Sequence, residues 1–244
     1  MDFDDDSIDI RPWPVSELAG QLVSCAALAR RGAMETNDGS DTYEQETDRF
    51  ELEAWSRSEL VTWLNLAEFE VLDAPVGTLA DEQVERCHDA LFEASTLAWI
   101  VGVVQVDGLP IFTDGEPERQ VAAWAPGPWT GVPSASRSLR VRPDEQLAAE
   151  RERWELLYWR LNLQQPLDGD SRTALQDVIE EVGGIGLLGV TSGDFATDDG
   201  RAFSEFSTDD FDTFAHEAEV RLRTLNWACG MGVRLDAAPL MLDD

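Results

Sequence analysis

Apolar residues recur at three- and four-residue spacing along much of the chain, which is the period of one face of an α-helix. The pattern predicts a first helix over residues 16–35, with Ser16 as its N-cap. It predicts a second helix that opens at Ser58 and stops near residues 73–75, where the sequence Asp-Ala-Pro ends the periodicity. Residues 36–48 lie between these two helices and are predicted as a polar loop.

Two further helices are predicted in the middle of the chain. One follows Thr78 and continues to about Gly102, and the other starts at Pro143. Between them, residues 107–138 are rich in Gly, Pro and Ser and are predicted as a long loop or irregular crossover. The charged pairs of the helix that starts at Pro143 are expected on a solvated face; they are Glu150 with Arg153 and Arg151 with Glu155.

The pattern changes near the C-terminal end. After a shorter helix that ends near Val182, residues 193–204 predict a β-hairpin around an Asp-Asp-Gly turn. A last helix is predicted from Ser207 to about Cys229, with Val220 and Trp227 almost opposite its main apolar stripe. A helix that is apolar on two faces is expected to be central and packed on both sides.

The sequence therefore predicts a mainly α fold, with one small β-hairpin before the last helix. Residues 15–240 are predicted to form a single helical domain, because no stretch within them has the composition of a linker. Residues 1–14 are predicted as an acidic N-terminal tail that ends in Pro12-Trp13-Pro14.

Charge is the most unusual feature of the composition. The chain has 49 acidic and 18 basic residues, for a formal net charge of −31, and every basic residue is arginine. So negative a chain repels phosphate, and nucleic-acid binding is not expected. Three interpretations of the acidity remain open: adaptation to an acidic or salty cytosol, binding of a basic protein by a decoy or inhibitor, and cation binding.

Targeting signals and disulfides are not expected. No run of about 18 apolar residues is present, so a membrane span is not predicted. The first six residues are acidic where a signal peptide would be basic, so the chain is expected in the cytoplasm. The three cysteines are scattered, which favours buried, reduced thiols over a disulfide framework or a zinc site.

No motif predicts a catalytic residue, a metal site or a cofactor. Residues 184–189 match the spacing G-x-G-x-x-G, but a helix precedes them and a strand follows, the reverse of the dinucleotide-binding order. His88 falls on an apolar helix face and is expected to be a satisfied core histidine, while His216 lies beside Glu217. The carboxylates are too numerous to single out a catalytic pair.

Tryptophan is more informative, since the chain contains nine. Core packing is one interpretation, and a ligand groove lined by aromatic and arginine side chains is the other. The candidate ligand-binding residues are Trp99, Trp159, Arg160, Arg223, Asn226 and Trp227. The last three of these form either a binding site at the end of the last helix, near the first two, or a polar cluster that fixes how that helix packs.

Four segments resemble a widespread bacterial family of helical domains of unknown function. Residues 97–102, Leu-Ala-Trp-Ile-Val-Gly, are similar to that family's Leu-x-Trp-Ala-Leu-Gly helix end. Residues 221–230, Arg-Leu-Arg-Thr-Leu-Asn-Trp-Ala-Cys-Gly, resemble its closing helix, Arg-His-Arg-Ala-Leu-Asn-Trp-Leu-x-Gly. Residues 145–162 and 193–207 resemble its middle helix and short hairpin.

The resemblance implies a helical domain and supplies no activity. Leu222 and Tyr158 stand where the family has histidines, so any chemistry that those histidines perform in relatives is not expected in this chain.

Two classes of function follow as expectations. The first is a non-enzymatic binding or inhibitory protein that acts through its acidic surface or an aromatic groove, with neutralisation of a basic toxin as its sharpest form. The alternative is a hydrolase that uses carboxylates and arginine in a Trp-lined cleft.

Overall fold

The structure is a computed structural model that describes residues 10–36, 42–111, 115–125, 130–163 and 168–240. Over these residues the chain forms nine α-helices and one two-stranded hairpin. The helices are α1 (Val15–Thr36), α2 (Thr42–Glu59), α3 (Leu66–Asp73), α4 (Asp81–Ile100), α5 (Glu116–Trp124), α6 (Val132–Ala135), α7 (Asp144–Leu161), α8 (Gly169–Val182) and α9 (Thr208–Ala228). The antiparallel strands are β1 (Gly189–Thr191) and β2 (Asp194–Ala196). The prediction of a mainly α fold with one small hairpin before the last helix is confirmed.

Helix α4 forms the centre of the core. It packs along α1 and α9, and α9 also packs against α7. Helices α1 and α4 approach closely at Gly32, where an added Cβ would lie 2.6 Å from the Cβ of Cys87. Leu222 and Val220, which represent the two apolar faces of α9, are both buried. The prediction that this helix is packed on both sides is therefore confirmed.

Helix α2 begins within the predicted polar loop, of which residues 37–41 lie outside the described residues. Ser58, predicted to open a helix, lies instead in the last turn of α2, where its hydroxyl donates to the Trp55 carbonyl at 3.1 Å. The apolar pattern missed α2 because a charged residue, Arg49, occupies part of its buried face. The Arg49 guanidinium donates to the carbonyls of Leu72 and Asp73, which the end of α3 leaves unpaired.

Two other predictions in the middle of the chain were wrong. The segment predicted as a long loop contains α5 and α6, each of which has proline in its first turn. The charged pairs of α7 do not lie on a solvated face, because Glu150 and Arg151 are buried. Glu150 accepts hydrogen bonds from the Leu109 amide and the Trp154 indole, so the carboxylate joins α7 to the segment that follows α4.

The hairpin begins earlier in the chain than predicted. Its turn is formed by Ser192 and Gly193, both with positive φ, which is the geometry that tight hairpin turns favour. The predicted Asp-Asp-Gly turn is present, but it closes only a single bridge between Ala196 and Ala202. The buried Asp194 fixes β2, because its carboxylate accepts two hydrogen bonds from the Arg160 guanidinium.

The last part of the predicted acidic tail is bound to the end of α9. The backbone amides of Arg11 and Trp13 donate to the carbonyls of Cys229 and Ala228, at 3.0 and 3.2 Å. The Trp13 indole stacks on Trp227 at a centroid distance of 6.1 Å. Residues 1–9 of that predicted tail lie outside the described residues. In the part of the chain that is described, no helix has the length and apolar character that crossing a membrane requires.

Candidate functional site

A cleft of about 600 Å³ opens between α1, α3, α4 and the segment that follows α9. We call it the acidic cleft, because its described lining contains six carboxylates and only two arginines. The carboxylates are Glu17, Glu68, Glu70, Glu82, Glu93 and Asp236, and the arginines are Arg86 and Arg234. The apolar part of the lining includes Trp63, Leu64, Val71, Trp227 and Leu235.

Arg86 organises the floor of the acidic cleft. Its Nη2 donates to Glu68 Oε1 at 2.7 Å, and its Nη1 donates to Glu93 Oε2 at 2.8 Å. Arg86 and Glu93 are seven residues apart on α4 and so share one face of that helix, while Glu68 belongs to α3. Both carboxylates are buried. One guanidinium therefore joins two helices and pairs with two buried carboxylates.

Glu93 lies at the deepest point of this network. The Sγ of Cys25, on α1, donates to Glu93 Oε2 at 3.2 Å. Burial raises the pKa of the Glu93 carboxyl above its ordinary value, and the Arg86 charge and the Cys25 hydrogen bond oppose that rise. Burial also raises the pKa of the Cys25 thiol well above its usual range, so that Cys25 is a neutral donor. All three cysteines are buried thiols outside any disulfide, as predicted.

Glu68 is held in place by the start of α3. Its Oε2 accepts from the Asn65 amide at 2.9 Å, and the Asn65 side chain accepts from the Glu68 amide at 3.0 Å. This reciprocal pair is a capping box, which satisfies two amides at the N-terminus of a helix. Because the cap uses Oε2, the other oxygen of Glu68 is left for Arg86.

Two tryptophans contribute aromatic surface to the cleft. The Trp63 ring lies against α1 at Gly20, where an added Cβ would collide with the indole. Trp227 comes from the last turn of α9 and is buried against Trp13. Within the described residues, neither the Trp63 nor the Trp227 indole N–H has a hydrogen-bond acceptor.

The predicted ligand-binding residues do not meet in one cleft. Trp99 is buried and donates to the Val106 carbonyl at 3.1 Å, and the Arg142 guanidinium lies 4.5 Å from its ring centroid. Trp159 is half-buried on α7. Arg160 is fully buried and binds Asp194, as described above, so its charge is already compensated. Trp99 and Arg160 join secondary-structure elements through these contacts, and all three residues lie outside the lining of the acidic cleft.

The last three predicted residues divide between structure and site. Arg223 pairs with Glu219 on the same helix. Asn226 is fully buried; its Oδ1 accepts from Arg151 Nε at 2.7 Å, and its Nδ2 donates to the Pro239 carbonyl at 2.7 Å. This is the polar cluster that the sequence offered as one of two interpretations. Of the six predicted residues, only Trp227 lines the acidic cleft.

Sequence reasoning missed the residues that give the cleft its charge. The Arg86–Glu68 pair spans eighteen positions and two helices, so no spacing rule connects its members. Two signals were available. Asn65-x-x-Glu68 has the spacing of a capping box, and Glu93 falls at helical spacing from Ala90 and Leu97, so that an acid lies within an apolar stripe.

A second buried arginine network lies between α4, α5 and α9. The Arg221 guanidinium donates to Glu217 at 2.7 Å, to Glu118 at 2.8 Å and to the Ser95 hydroxyl at 2.9 Å. Burial raises the pKa of the Glu217 carboxyl, and Arg221 opposes the rise. Arg221 is itself buried, so this network is more enclosed than that of Arg86. It joins three helices and lines a smaller cavity of about 190 Å³.

The structure places His88 differently from the prediction. It also gives a partner to His216, whose role the sequence left open. His88 is exposed, contrary to the prediction of a core histidine, because α4 emerges from the core near its N-terminal half. Its imidazole contacts the Phe92 ring edge-on at 4.8 Å. His216 Nε2 lies 2.6 Å from Asp89 Oδ1, which links α9 to α4.

The described residues form no evident site for a metal ion or a nucleotide. Among the described residues, no cluster of three or more His, Cys, Asp or Glu side chains is placed to hold a metal ion. The glycine-rich residues 183–188 form a turn between α8 and β1, in the helix-then-strand order that the sequence indicated. That order does not present a helix N-terminus to a pyrophosphate.

No family model, curated protein or solved structure matches the chain. The resemblance to a bacterial helical family therefore stays a prediction. The function has to be argued from the geometry and charge of the sites themselves.

Proposed function

We propose that the protein is a binding protein whose acidic cleft receives a cationic group, an arginine or lysine side chain of a basic partner. The observation that carries the proposal is an excess of carboxylate that the fold itself does not neutralise. Arg86 is committed to Glu68 and Glu93, and Arg234 pairs with Asp236. Within the described residues Glu17, Glu70 and Glu82 have no ion-pair partner, although all three line the cleft.

The aromatic lining fits the same class of ligand. A guanidinium or ammonium group that lies over an indole face gains a cation–π contribution, and its aliphatic stem can pack on the same surface. Trp63 provides such surface beside the unpaired carboxylates, and the edge of the buried Trp227 lines the same cleft. The net charge of the whole chain adds long-range attraction, which raises the association rate with a basic partner. Neutralisation of a basic protein such as a toxin is the sharpest form of this function.

The test uses a fluorescein-labelled peptide of alternating arginine and glycine, with binding followed by fluorescence anisotropy. The site variant carries Glu17→Gln, Glu70→Gln and Glu82→Gln. The matched control carries Asp177→Asn, Glu181→Gln and Asp212→Asn, which remove the same charge from exposed positions of α8 and α9. We expect the site variant to bind about tenfold more weakly, since each surface charge contributes up to about 1 kcal/mol. Equal weakening in both variants would mean that net charge alone attracts the peptide, and the proposal would fail.

Glu93 supports a second candidate function, a hydrolase. It is a carboxyl with a raised pKa beside an arginine in a cleft, which is the environment of a general acid. If the cleft hydrolyses a substrate, Glu93→Gln should abolish turnover in a screen of ester, glycoside and phosphoester substrates. The binding function instead expects Glu93→Gln to retain peptide binding, because Glu93 is buried beneath the unpaired carboxylates and already has a cation.

A further inference from the structure

A second cavity, of about 440 Å³, lies between α1, α2, α4 and α5. We call it the apolar cavity. One wall is formed by the small residues Ala26, Ala29 and Ala33 of α1, and the facing walls include Leu52 and Trp55 of α2. Its volume lies in the range of about 300–1,000 Å³ that is usual for small-molecule sites. It shares no described lining residue with the acidic cleft.

The walls of the apolar cavity are fixed by packing around it. The contact of Gly32 with Cys87 sets the distance between α1 and α4, since any side chain larger than hydrogen would push them apart. The Trp55 indole donates to the Thr130 carbonyl at 3.1 Å, which holds the α2 wall. Because the residues of α1 are small here, they do not fill the space beside them. The surrounding helices keep the resulting concave surface open.

The charge of this lining is the opposite of what the composition leads one to expect. Of the 244 residues 49 are acidic, yet the described lining of the apolar cavity contains no carboxylate. Its basic groups are Arg30 and the imidazole of His88. Burial raises the pKa of the Cys87 thiol to about 11, so that this third ionisable group is neutral near pH 7.

Arg30 is available to a ligand. Its ion pair with Asp48 is long, at 3.8 Å, and both side chains are about half exposed. Such a pair is weak in water and readily exchanged for a better acceptor. A carboxylate that accepts two parallel hydrogen bonds from a guanidinium is such an acceptor.

We propose that the apolar cavity binds a small molecule with a hydrocarbon body and one carboxylate, of the class of medium-chain fatty acids. The body lies against the alanine wall of α1 and the Trp55 ring, and the carboxylate pairs with Arg30 at the edge. The proposal is independent of the proposed function, because the two sites share no residue.

The probes are decanoate, decanol and decyltrimethylammonium, which have the same chain and a negative, neutral or positive head. Binding is measured by isothermal titration calorimetry in about 0.15 M salt, where the repulsion of the anion by the net charge is screened. We expect decanoate to bind the wild type more tightly than either other probe. Equal or tighter binding of decyltrimethylammonium, or no binding of decanoate, would overturn the proposal.

Variants assign the head and the body of the ligand separately. Arg30→Gln should weaken decanoate binding about tenfold, which corresponds to about 1.4 kcal/mol, and leave decanol unchanged. Ala29→Trp should fill the cavity and abolish binding of both. Glu70→Gln, in the acidic cleft, is the control and should change neither. If Arg30→Gln leaves decanoate binding unchanged, Arg30 does not pair with the carboxylate. This conclusion does not depend on whether Ala29→Trp folds.

Discussion

The acidic cleft and the apolar cavity share one helix pair, α1 and α4, yet their linings are opposite in charge. The N-terminal half of α1 contributes Glu17 to the acidic cleft, and its C-terminal half contributes Arg30 to the apolar cavity. The described lining holds six carboxylates in the first site and none in the second. Net charge therefore does not predict the local electrostatics of a site. In a chain with so many acidic residues, a cavity whose lining lacks carboxylates is as informative as a cleft lined by several of them.

The arginines of the two sites differ in the same way. Arg86 compensates two buried carboxylates and supports the fold, whereas Arg30 has one long, exposed ion pair and contributes little to it. An arginine that the fold requires is unavailable to a ligand, and one that the fold does not require is available. The predictions below test that distinction, beginning with the largest expected effect.

Arg86→Met should lower the free energy of unfolding by about 3 kcal/mol, because Glu68 and Glu93 would remain buried without a cation. Arg30→Met should change it by less than about 0.5 kcal/mol, as is usual for an exposed pair. Urea unfolding of the two variants measures the difference. Similar losses in both would remove the distinction between a structural and an available arginine.

Asn226→Ala should cost about 2 kcal/mol, because Arg151 and the Pro239 carbonyl would each lose a hydrogen-bond partner. Asn226 joins α7, α9 and the segment beyond it, which carries Leu235 and Asp236 to the acidic cleft. The variant should therefore also weaken arginine–glycine peptide binding, while decanoate binding to the folded protein stays unchanged. Wild-type stability by urea unfolding would contradict the structural role of Asn226.

A matched pair of tryptophan variants compares the walls of the two sites. Trp55→Phe and Trp227→Phe remove the same volume from buried positions. Within the described part of the chain, the Trp55 indole N–H has an acceptor, the Thr130 carbonyl, and the Trp227 indole N–H has none. Trp55→Phe should consequently cost about 1 kcal/mol more than Trp227→Phe in urea unfolding. The reverse order would show that the Trp227 indole has a partner in solution.

The effect of Arg86→Met should depend on pH. Burial raises the pKa of Glu93 above its ordinary value of 4.5, so the folded state holds this proton more tightly than the unfolded state. Glu93 therefore contributes stability at low pH that is lost as the pH rises through its raised pKa. Removing Arg86 raises that pKa further. The destabilisation by Arg86→Met should accordingly be smaller at about pH 5.5 than at about pH 8, and Arg30→Met should show no such change. A destabilisation that is constant with pH would mean that Glu93 stays charged without Arg86.

Salt should act on the two sites in opposite directions. Raising the salt concentration screens the attraction between the acidic cleft and a basic peptide, so the peptide's Kd should rise. The same screening reduces the repulsion between the net charge of the protein and decanoate. The decanoate Kd should therefore fall by about a few-fold. Decanol, measured in parallel, provides the part of the salt effect that is independent of charge. Movement of both constants in one direction would contradict the charge assignment of one site.

The sequence was sufficient for the helices whose buried face is apolar, and insufficient where charge is buried. The periodicity located α1, α4, α7 and α9 to within a few residues, and the predicted start of the last helix at Ser207 is its N-cap in the structure, whereas Ser16, predicted to cap the first helix, lies within α1. Helix α2 was missed because Arg49 takes part in its buried face. A helix was predicted where most of its buried residues are apolar, and α2 was missed where a charged residue is buried.

The sites follow the same rule. Trp227 was predicted because an apolar residue opposite the main stripe of a helix is visible in the sequence, whereas the signals at Glu68 and Glu93 are weaker and Arg86 looks like an ordinary solvated charge. Their role depends on how α3 lies against α4, which no local pattern specifies. The apolar cavity is harder still to foresee, since alanines on a helix face are typical of close packing as much as of open space.

The attachment of residues 10–14 to the end of α9 has a consequence for the timing of folding during synthesis. Arg11 and Trp13 donate hydrogen bonds to Cys229 and Ala228, and Trp13 stacks on Trp227. A ribosome that adds about 5–20 residues per second makes these acceptors roughly 10–40 s after their donors. During that interval the Trp13 ring lacks the Trp227 ring on which it stacks, so the nascent chain exposes apolar surface that a chaperone can hold. Variants that weaken the end of α9 should therefore lower soluble yield more than they lower the stability of the protein once folded.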